Sequence, residues 1–238
     1  MTWPRRVTYG LWAVSAALLV LTFIAVRDKG DPAGAWVVGG VVLCSAIPFT
    51  AGHLVTRHDP SNWVGPWLTA AGANVILQMA HGTWAEALAE PPSGLVASAE
   101  LLNLTQGIWM GWFLPFAMVL VLFPDGRPAD AWGRRTAIAL PALVVAFNLL
   151  LAIVPGPLTP PLPDWPRPFG THWVGYACIP VLIAFYAALV AAALSTRRRY
   201  RAASTDLERS RLRWMFLSCL SVPATILLCW AGYLLTGT

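Results

Sequence analysis

The chain has 238 residues, of which 57% are hydrophobic and only 11% are charged. A soluble domain carries about 25% charged residues, so this composition excludes an ordinary soluble protein, whose surface needs more polar side chains. The net charge is +5, and the basic residues lie between apolar runs, which favours contact with anionic lipid headgroups over nucleic acid.

Seven apolar runs are each long enough to cross a bilayer, whose hydrocarbon core of about 30 Å requires about 20 helical residues. In chain order they cover residues 8–26, 35–55, 63–82, 103–123, 134–154, 172–195 and 212–235. The first run is too long for a signal peptide, and Arg27-Asp28-Lys29 follows it in place of a small-residue cleavage site. The sequence therefore predicts an all-α, polytopic membrane protein, a single domain over residues 1–238 with seven transmembrane helices.

The basic residues predict the orientation of this bundle. Seven crossings place thirteen of the sixteen basic residues on one side and only Arg27, Lys29 and Arg167 on the other. The thirteen are Arg5, Arg6, Arg57, Arg127, Arg134, Arg135, Arg197, Arg198, Arg199, Arg201, Arg209, Arg211 and Arg213. Cytoplasmic loops are enriched in lysine and arginine, so we expect the N-terminus inside and the C-terminus outside a bacterial plasma membrane.

Six polar residues lie where the third and fourth runs approach the outer side. They are Asn74, Gln78 and His81 on the third run, and Glu100, Asn103 and Gln106 at the start of the fourth. The spacing places each set on one helix face, and the short connection makes the two helices antiparallel neighbours. One interpretation is a ligand or proton pocket, with a proton-sensitive pair of His81 and Glu100. The other is hydrogen bonding between helices that serves packing alone.

Metal, cofactor and enzyme motifs are not evident. The four cysteines fall inside apolar runs without a CxxC pair, and only one histidine and one carboxylate converge in the polar set. We therefore expect no metal site, no disulfide framework and no cofactor. Walker A, GxGxxG, HExxH and GxSxG patterns are missing, so the sequence predicts a protein that is not an enzyme.

A basic surface is predicted on the inner side, between the sixth and seventh runs. It comprises Arg197, Arg198, Arg199 and Arg201, followed by Arg209, Arg211 and Arg213. Thr205 and Glu208 have the spacing of a capping box, which predicts a helix start. We expect a short helix lying among anionic headgroups, each basic residue contributing about 1 kcal/mol; a signalling helix is the alternative.

Three inner segments together resemble a known group. They are HDPSNWVG at 58–65, LFPDGR at 122–127, and RYRAA at 199–203 with LERSRLRW at 207–214. In this order they resemble the multi-span N-terminal sensor region of actinobacterial two-component sensor histidine kinases, and related stand-alone membrane proteins. The resemblance covers most of residues 55–215. The kinases' phosphoacceptor and ATP-binding domains have no counterpart in the chain.

The resemblance implies a non-enzymatic, sensor-like membrane protein. Such a protein would perceive an extracytoplasmic or membrane cue, or act through a partner membrane protein or a second copy of itself. A small transporter or permease subunit is the competing interpretation, and a structural subunit of a membrane complex is a third. A transporter should carry polar residues through the whole depth of the bundle, whereas the predicted polar set lies in the outer half.

Overall fold

The computed structural model describes residues 2–28, 32–89, 105–154 and 173–236. This part of the chain forms seven α-helices and one short 3-10 helix, without a strand, which confirms the all-α class. The α-helices are α1 (Trp3–Asp28), α2 (Pro32–His58), α3 (Val64–Ala89), α4 (Leu114–Leu122), α5 (Ala131–Ala152), α6 (Val174–Ala202) and α7 (Asp206–Thr236). The 3-10 helix, Ile108–Trp112, precedes α4.

Four helices in the described residues are long and apolar enough to cross a membrane, namely α1, α2, α5 and α6. This is the composition of a membrane protein. Six of the seven predicted runs correspond to continuous helices, whereas the fourth is divided between the 3-10 helix and α4. Helix α3 has the same length as α1, 26 residues, and carries the polar side chains Asn74, Gln78 and His81 in its interior.

Helices α1 and α2 bury small polar residues and expose large apolar ones. Thr8, Ser15 and Thr22 recur every seven residues along the buried face of α1. The hydroxyl groups of Thr8 and Thr56 share a hydrogen bond of 3.0 Å between α1 and α2. Ile47, on the outer face of α2, is 77% exposed. This pattern would be costly in water, but it suits lipid, which is an apolar solvent for the outer face.

Glycines bring the backbones of α2 and α3 into close contact. A Cβ atom added at Gly65 would lie 3.0 Å from the carbonyl oxygen of Gly52, and one added at Gly72 would lie 2.9 Å from that of Ser45. Small residues allow this approach, and membrane helices pack preferentially through them because apolar side chains gain little by leaving lipid.

The fourth apolar segment is interrupted in its described part, contrary to the predicted continuous run at 103–123. Helix α4 has nine residues, so at 1.5 Å per residue it is only about 13 Å long, less than half of a hydrocarbon core. Phe113 separates it from the 3-10 helix, and Pro115 lies in its first turn. Proline lacks a backbone N–H and is tolerated there, whereas farther inside a continuous helix it would remove a hydrogen bond.

Helix α4 lies at the centre of the bundle. It contacts α3, α5, α6 and α7, and seven of its nine residues are buried. Val119 and Val121 are fully buried, as is Met110 of the preceding 3-10 helix. The 3-10 helix itself contacts α3, α4 and α5, so other helices pack against the interrupted part of the segment.

Candidate functional site

The loops at residues 59–63, 123–130 and 203–205 lie at one end of the bundle, here named the basic end. Helix α1 begins at this end, since the Thr2 hydroxyl donates to the carbonyl of Pro60. Helix α5 begins there too, because Arg198 lies 3.7 Å from the Asp130 carboxylate that caps α5. All thirteen arginines predicted to share one side therefore lie at or near this end.

Asn62 joins the first two of these loops. Its Nδ2 donates to the carbonyl of Pro124 at 2.9 Å, and its Oδ1 accepts from the backbone N–H of Val64 at 2.9 Å. The second bond satisfies one of the free N–H groups at the start of α3. One side chain thus caps α3 and holds the turn that follows α4.

Gly126 lets the turn after α4 approach this asparagine. Its φ is +72°, in the left-handed region that favours glycine, and its N–H donates to Leu122 at 2.9 Å. A Cβ atom here would lie 2.5 Å from the backbone nitrogen of Trp63 and 2.8 Å from the Cα of Asn62. The LFPDGR segment therefore requires glycine for both its conformation and its contact with residues 62–63.

Two side chains of α6 satisfy the carbonyl groups at the end of α4. The Thr196 hydroxyl donates to Leu120 at 3.1 Å, and the Arg199 guanidinium donates to Val121 at 3.1 Å. Arg199 also donates to the carbonyls of Phe123 and Arg127. The last carbonyls of a helix lack partners within it and carry partial negative charge, so a cation suits this position. We name Asn62, Gly126, Thr196 and Arg199 the carbonyl junction.

The predicted basic surface divides into arginines with different roles. Arg199 is half-buried in the carbonyl junction, whereas the remaining six are exposed. Arg198 pairs with Asp130 and lies over the Trp132 ring at 5.4 Å from its centroid. Arg209 lies 3.6 Å from Asp206. The exposed six are Arg197, Arg198, Arg201, Arg209, Arg211 and Arg213.

Thr205 caps the start of α7 as predicted, whereas the Glu208 carboxylate reaches one residue farther back than in a standard capping box. The N–H of Glu208 donates to the Thr205 hydroxyl at 3.2 Å, and the Glu208 carboxylate accepts from the N–H of Ser204 at 3.3 Å. The helix that begins there continues without a break to Thr236. The prediction of a separate short helix before the seventh run is therefore wrong, because no residue between Arg213 and the apolar part of α7 breaks the helix.

At the opposite end, here named the far end, α3 contacts the start of the interrupted segment. Gln78 Nε2 donates to the carbonyl of Ile108 at 2.7 Å, and His81 Nε2 lies 3.0 Å from the Thr105 hydroxyl. Asn74 lies closer to the middle of the bundle against Gly111 and is 8% exposed. Among the described residues, its Nδ2 has no hydrogen-bond partner.

The structure thus brings three of the six predicted pocket residues against the fourth segment, Gln78 and His81 at its start and Asn74 farther along it. Gln106 lies in that segment, whereas Glu100 and Asn103 fall outside the described residues. The pairing of His81 with Glu100 therefore stays a prediction. Gln78 and His81 hold the segment directly, which is the hydrogen bonding between helices that the sequence left open as the alternative to a pocket.

Asp59, in the loop between α2 and α3, is a local turn residue. It accepts from the Ser61 hydroxyl at 2.7 Å and from the Ser61 N–H at 3.0 Å. These bonds favour the ionised carboxylate and lower the pKa of Asp59 below its ordinary value. Its contacts organise the loop that carries Asn62 into the carbonyl junction.

The sequence pattern does not mark Asn62 or Thr196 as a site residue. The only signal for Asn62 is its place in the HDPSNWVG segment, which does not reveal its partner at Pro124.

In the part of the chain that the structure describes, no cluster of three or more histidine, cysteine, aspartate or glutamate side chains could hold a metal ion. Comparison of the chain with protein-family models, curated proteins and solved structures found no match.

Proposed function

We propose that the chain crosses a bacterial plasma membrane seven times, with the basic end in the cytoplasm and the C-terminus outside. Four sufficiently apolar helices, the outward apolar faces of α1 and α2, and the arginines gathered at one end support this proposal. Together α4 and the 3-10 helix extend about 25 Å, close to the thickness of a hydrocarbon core of about 30 Å, which supports counting them as one interrupted crossing.

Within this membrane protein, we propose a non-enzymatic, sensor-like function. The observation that carries it is the attachment of the fourth segment at both ends by side chains of other helices. Gln78 and His81 of α3 hold its start, and Thr196 and Arg199 of α6 hold its end. A cue at the far end of α3 would therefore act on the carbonyl junction at the basic end.

The central position of α4 gives this connection a physical basis. The helix is short, contacts four other helices and has seven of its nine residues buried, so we expect it to move as one rigid body rather than to bend. Packed interfaces change between discrete arrangements, and a shift of the segment at one end must be accommodated by the hydrogen bonds at the other. The cytoplasmic output would pass from the basic end to a partner membrane protein or a second copy.

Hydrogen exchange tests the connection in both directions. In bilayer nanodiscs, Gln78→Leu should speed amide exchange not only in residues 105–113 but also at Phe123 and Gly126, whose N–H groups donate to Val119 and Leu122. Arg199→Ala should reciprocally speed exchange in residues 105–110, because thermodynamic coupling between two sites is symmetric.

The matched control is Leu77→Ala, since Leu77 is exposed on α3 beside Gln78 and its loss leaves the far-end hydrogen bonds in place. Exchange changes confined to the mutated end in both variants would contradict the proposal. The orientation is tested separately with a cysteine introduced at the exposed Asp125. An impermeant maleimide should label this cysteine in inside-out vesicles but not in right-side-out vesicles.

A transporter is the second candidate, favoured by one observation. Buried Asn74, with its unpartnered Nδ2, lies against an interrupted segment, and discontinuous helices form the substrate and ion sites of many transporters. Pyranine-loaded proteoliposomes report proton flux, and uptake of labelled amino acids reports a solute. Flux that Asn74→Leu abolishes would replace the sensor proposal.

A further inference from the structure

A groove runs between α6 and α7 from the basic end towards the middle of the bundle. At the basic end it opens as a cavity of about 310 Å³ whose walls include Ala193, Leu194, Leu212 and Phe216. A second cavity of about 210 Å³ shares Ala193 and Phe216 and continues inwards as far as Leu189 and Trp112. Because they share these two wall residues, the two cavities adjoin each other along the groove, here named the channel, beside α4.

The dimensions of the channel match one acyl chain of a single leaflet. Its α6 wall extends from Leu189 to Tyr200, a stretch of twelve residues that rises about 16 Å along the helix. One leaflet contributes roughly half of a hydrocarbon core of about 30 Å. The channel therefore has the depth that a phospholipid tail occupies when its headgroup lies at the level of the basic end.

The mouth of the channel carries two cations. Arg197 of α6 and Arg213 of α7 line the 310 Å³ cavity together with Tyr200, and all three are exposed. Among the described residues, neither guanidinium takes part in an ion pair or a hydrogen bond. In this they differ from Arg199 in the carbonyl junction and Arg198 beside Asp130.

We propose that this groove binds one anionic phospholipid, with its phosphate on Arg197 and Arg213 and one acyl chain in the channel between α6 and α7. An apolar slot next to two unpaired guanidinium groups complements a lipid that is apolar along its tail and negative at its head. Basic pockets between membrane helices on the cytoplasmic side select such headgroups. The inference rests on the proposed membrane placement of the basic end.

Native mass spectrometry of the full chain tests the proposal, using protein transferred from mixed micelles with equal amounts of dioleoyl-phosphatidylglycerol and dioleoyl-phosphatidylcholine. We expect one retained phosphatidylglycerol per chain, favoured over phosphatidylcholine by roughly tenfold to thirtyfold because two arginines face the headgroup. Arg197→Gln with Arg213→Gln should reduce this preference to less than about threefold.

The matched control is Arg134→Gln with Arg135→Gln, which removes the same charge from exposed positions at the start of α5, away from the groove. The control should keep the preference, because these residues do not line the channel. Equal loss in both double variants would overturn the proposal, since it would show only general attraction to a basic surface. Equal retention of the two lipids by the wild type would overturn it as well.

Filling the channel provides an independent measurement. Ala193→Phe leaves both cations in place but obstructs the passage between the two cavities, so the variant should lose the retained lipid. Full retention would show that the tail lies elsewhere. A dimer mass without bound lipid would assign the groove to a second copy instead.

Flotation with liposomes distinguishes failure of this proposal from failure of the proposed membrane placement. Protein that fails to insert contradicts the membrane placement. Protein that inserts but shows no lipid preference contradicts only lipid binding in the groove.

Discussion

Replacing Arg199 is the most informative perturbation of the carbonyl junction. Its guanidinium donates to the carbonyls of Val121 and Phe123, which lack helical partners at the end of α4, and to the carbonyl of Arg127 in the loop that follows. A hydrogen bond to a charged group contributes about 1.5–3 kcal/mol, and an unsatisfied buried carbonyl costs about 1–3 kcal/mol. Because Arg199 is only half-buried and water can reach part of the site, we expect Arg199→Ala to lower the free energy of unfolding by about 2–4 kcal/mol.

Arg199→Lys distinguishes the hydrogen bonds from the charge. Lysine keeps the positive charge near the negative end of the α4 dipole, but one ammonium group lacks the planar fork that reaches several carbonyls at once. We therefore expect lysine to recover about half of the lost stability. The free energy of unfolding is measured by far-ultraviolet circular dichroism in mixed micelles of increasing dodecyl sulfate content.

The control is Arg201→Ala, an exposed arginine two residues farther along α6. Its replacement should change the stability by no more than about 0.5 kcal/mol, as is usual for surface residues. Equal effects of the alanine variants at 199 and 201 would refute the reasoning, because they would show that the carbonyls of α4 do not depend on the guanidinium.

Three further predictions concern single contacts. Gly126→Ala should destabilise the protein by about 2–4 kcal/mol in the same unfolding assay, because a non-glycine residue at positive φ costs about 1–2 kcal/mol and its Cβ would overlap Trp63. Gly107→Ala should cost about 1–3 kcal/mol, because its Cβ would lie 2.8 Å from the Asn148 side chain, and adding Asn148→Ala should recover most of the loss. The pKa of Asp59 is lower in the folded state than its ordinary value of 3.8 in the unfolded chain. Its ionised carboxylate therefore stabilises the protein above that ordinary pKa, and this contribution is lost as the pH falls through the lower pKa of the folded state. Ser61→Ala should raise that pKa towards its ordinary value in a carboxyl carbon-13 NMR titration.

Each of these predictions has a defined contrary outcome. Gly175→Ala is the control for Gly126, since a Cβ at this helical glycine meets no atom within 4 Å and alanine favours the helix. Comparable destabilisation by both alanines would contradict the steric argument. If the double variant at 107 and 148 is as unstable as Gly107→Ala, steric overlap with Asn148 is not the cause of the loss. If the pKa of Asp59 is unchanged in Ser61→Ala, the Ser61 hydroxyl does not lower it.

The sequence by itself determined the helical class and the positions of six continuous helices. Long apolar runs require α-helix in a membrane, since every backbone group must find a partner without water. Local capping was equally readable, because Thr205 and Glu208 act within one helical turn of each other. The shared face of Asn74, Gln78 and His81 followed from the helical repeat alone.

Only the tertiary structure decided how the fourth segment is built and held. Composition does not distinguish a continuous apolar helix from a 3-10 helix joined to a nine-residue α-helix, because the difference depends on neighbours that satisfy the freed backbone groups. Those neighbours are Gln78 at one end and Arg199 at the other, about 30 and 75 residues from their partners along the chain. By charge alone, Arg199 and Arg197 belong to the same predicted basic surface. In the folded protein, Arg199 donates to the carbonyls of α4, whereas Arg197 lies beside the channel.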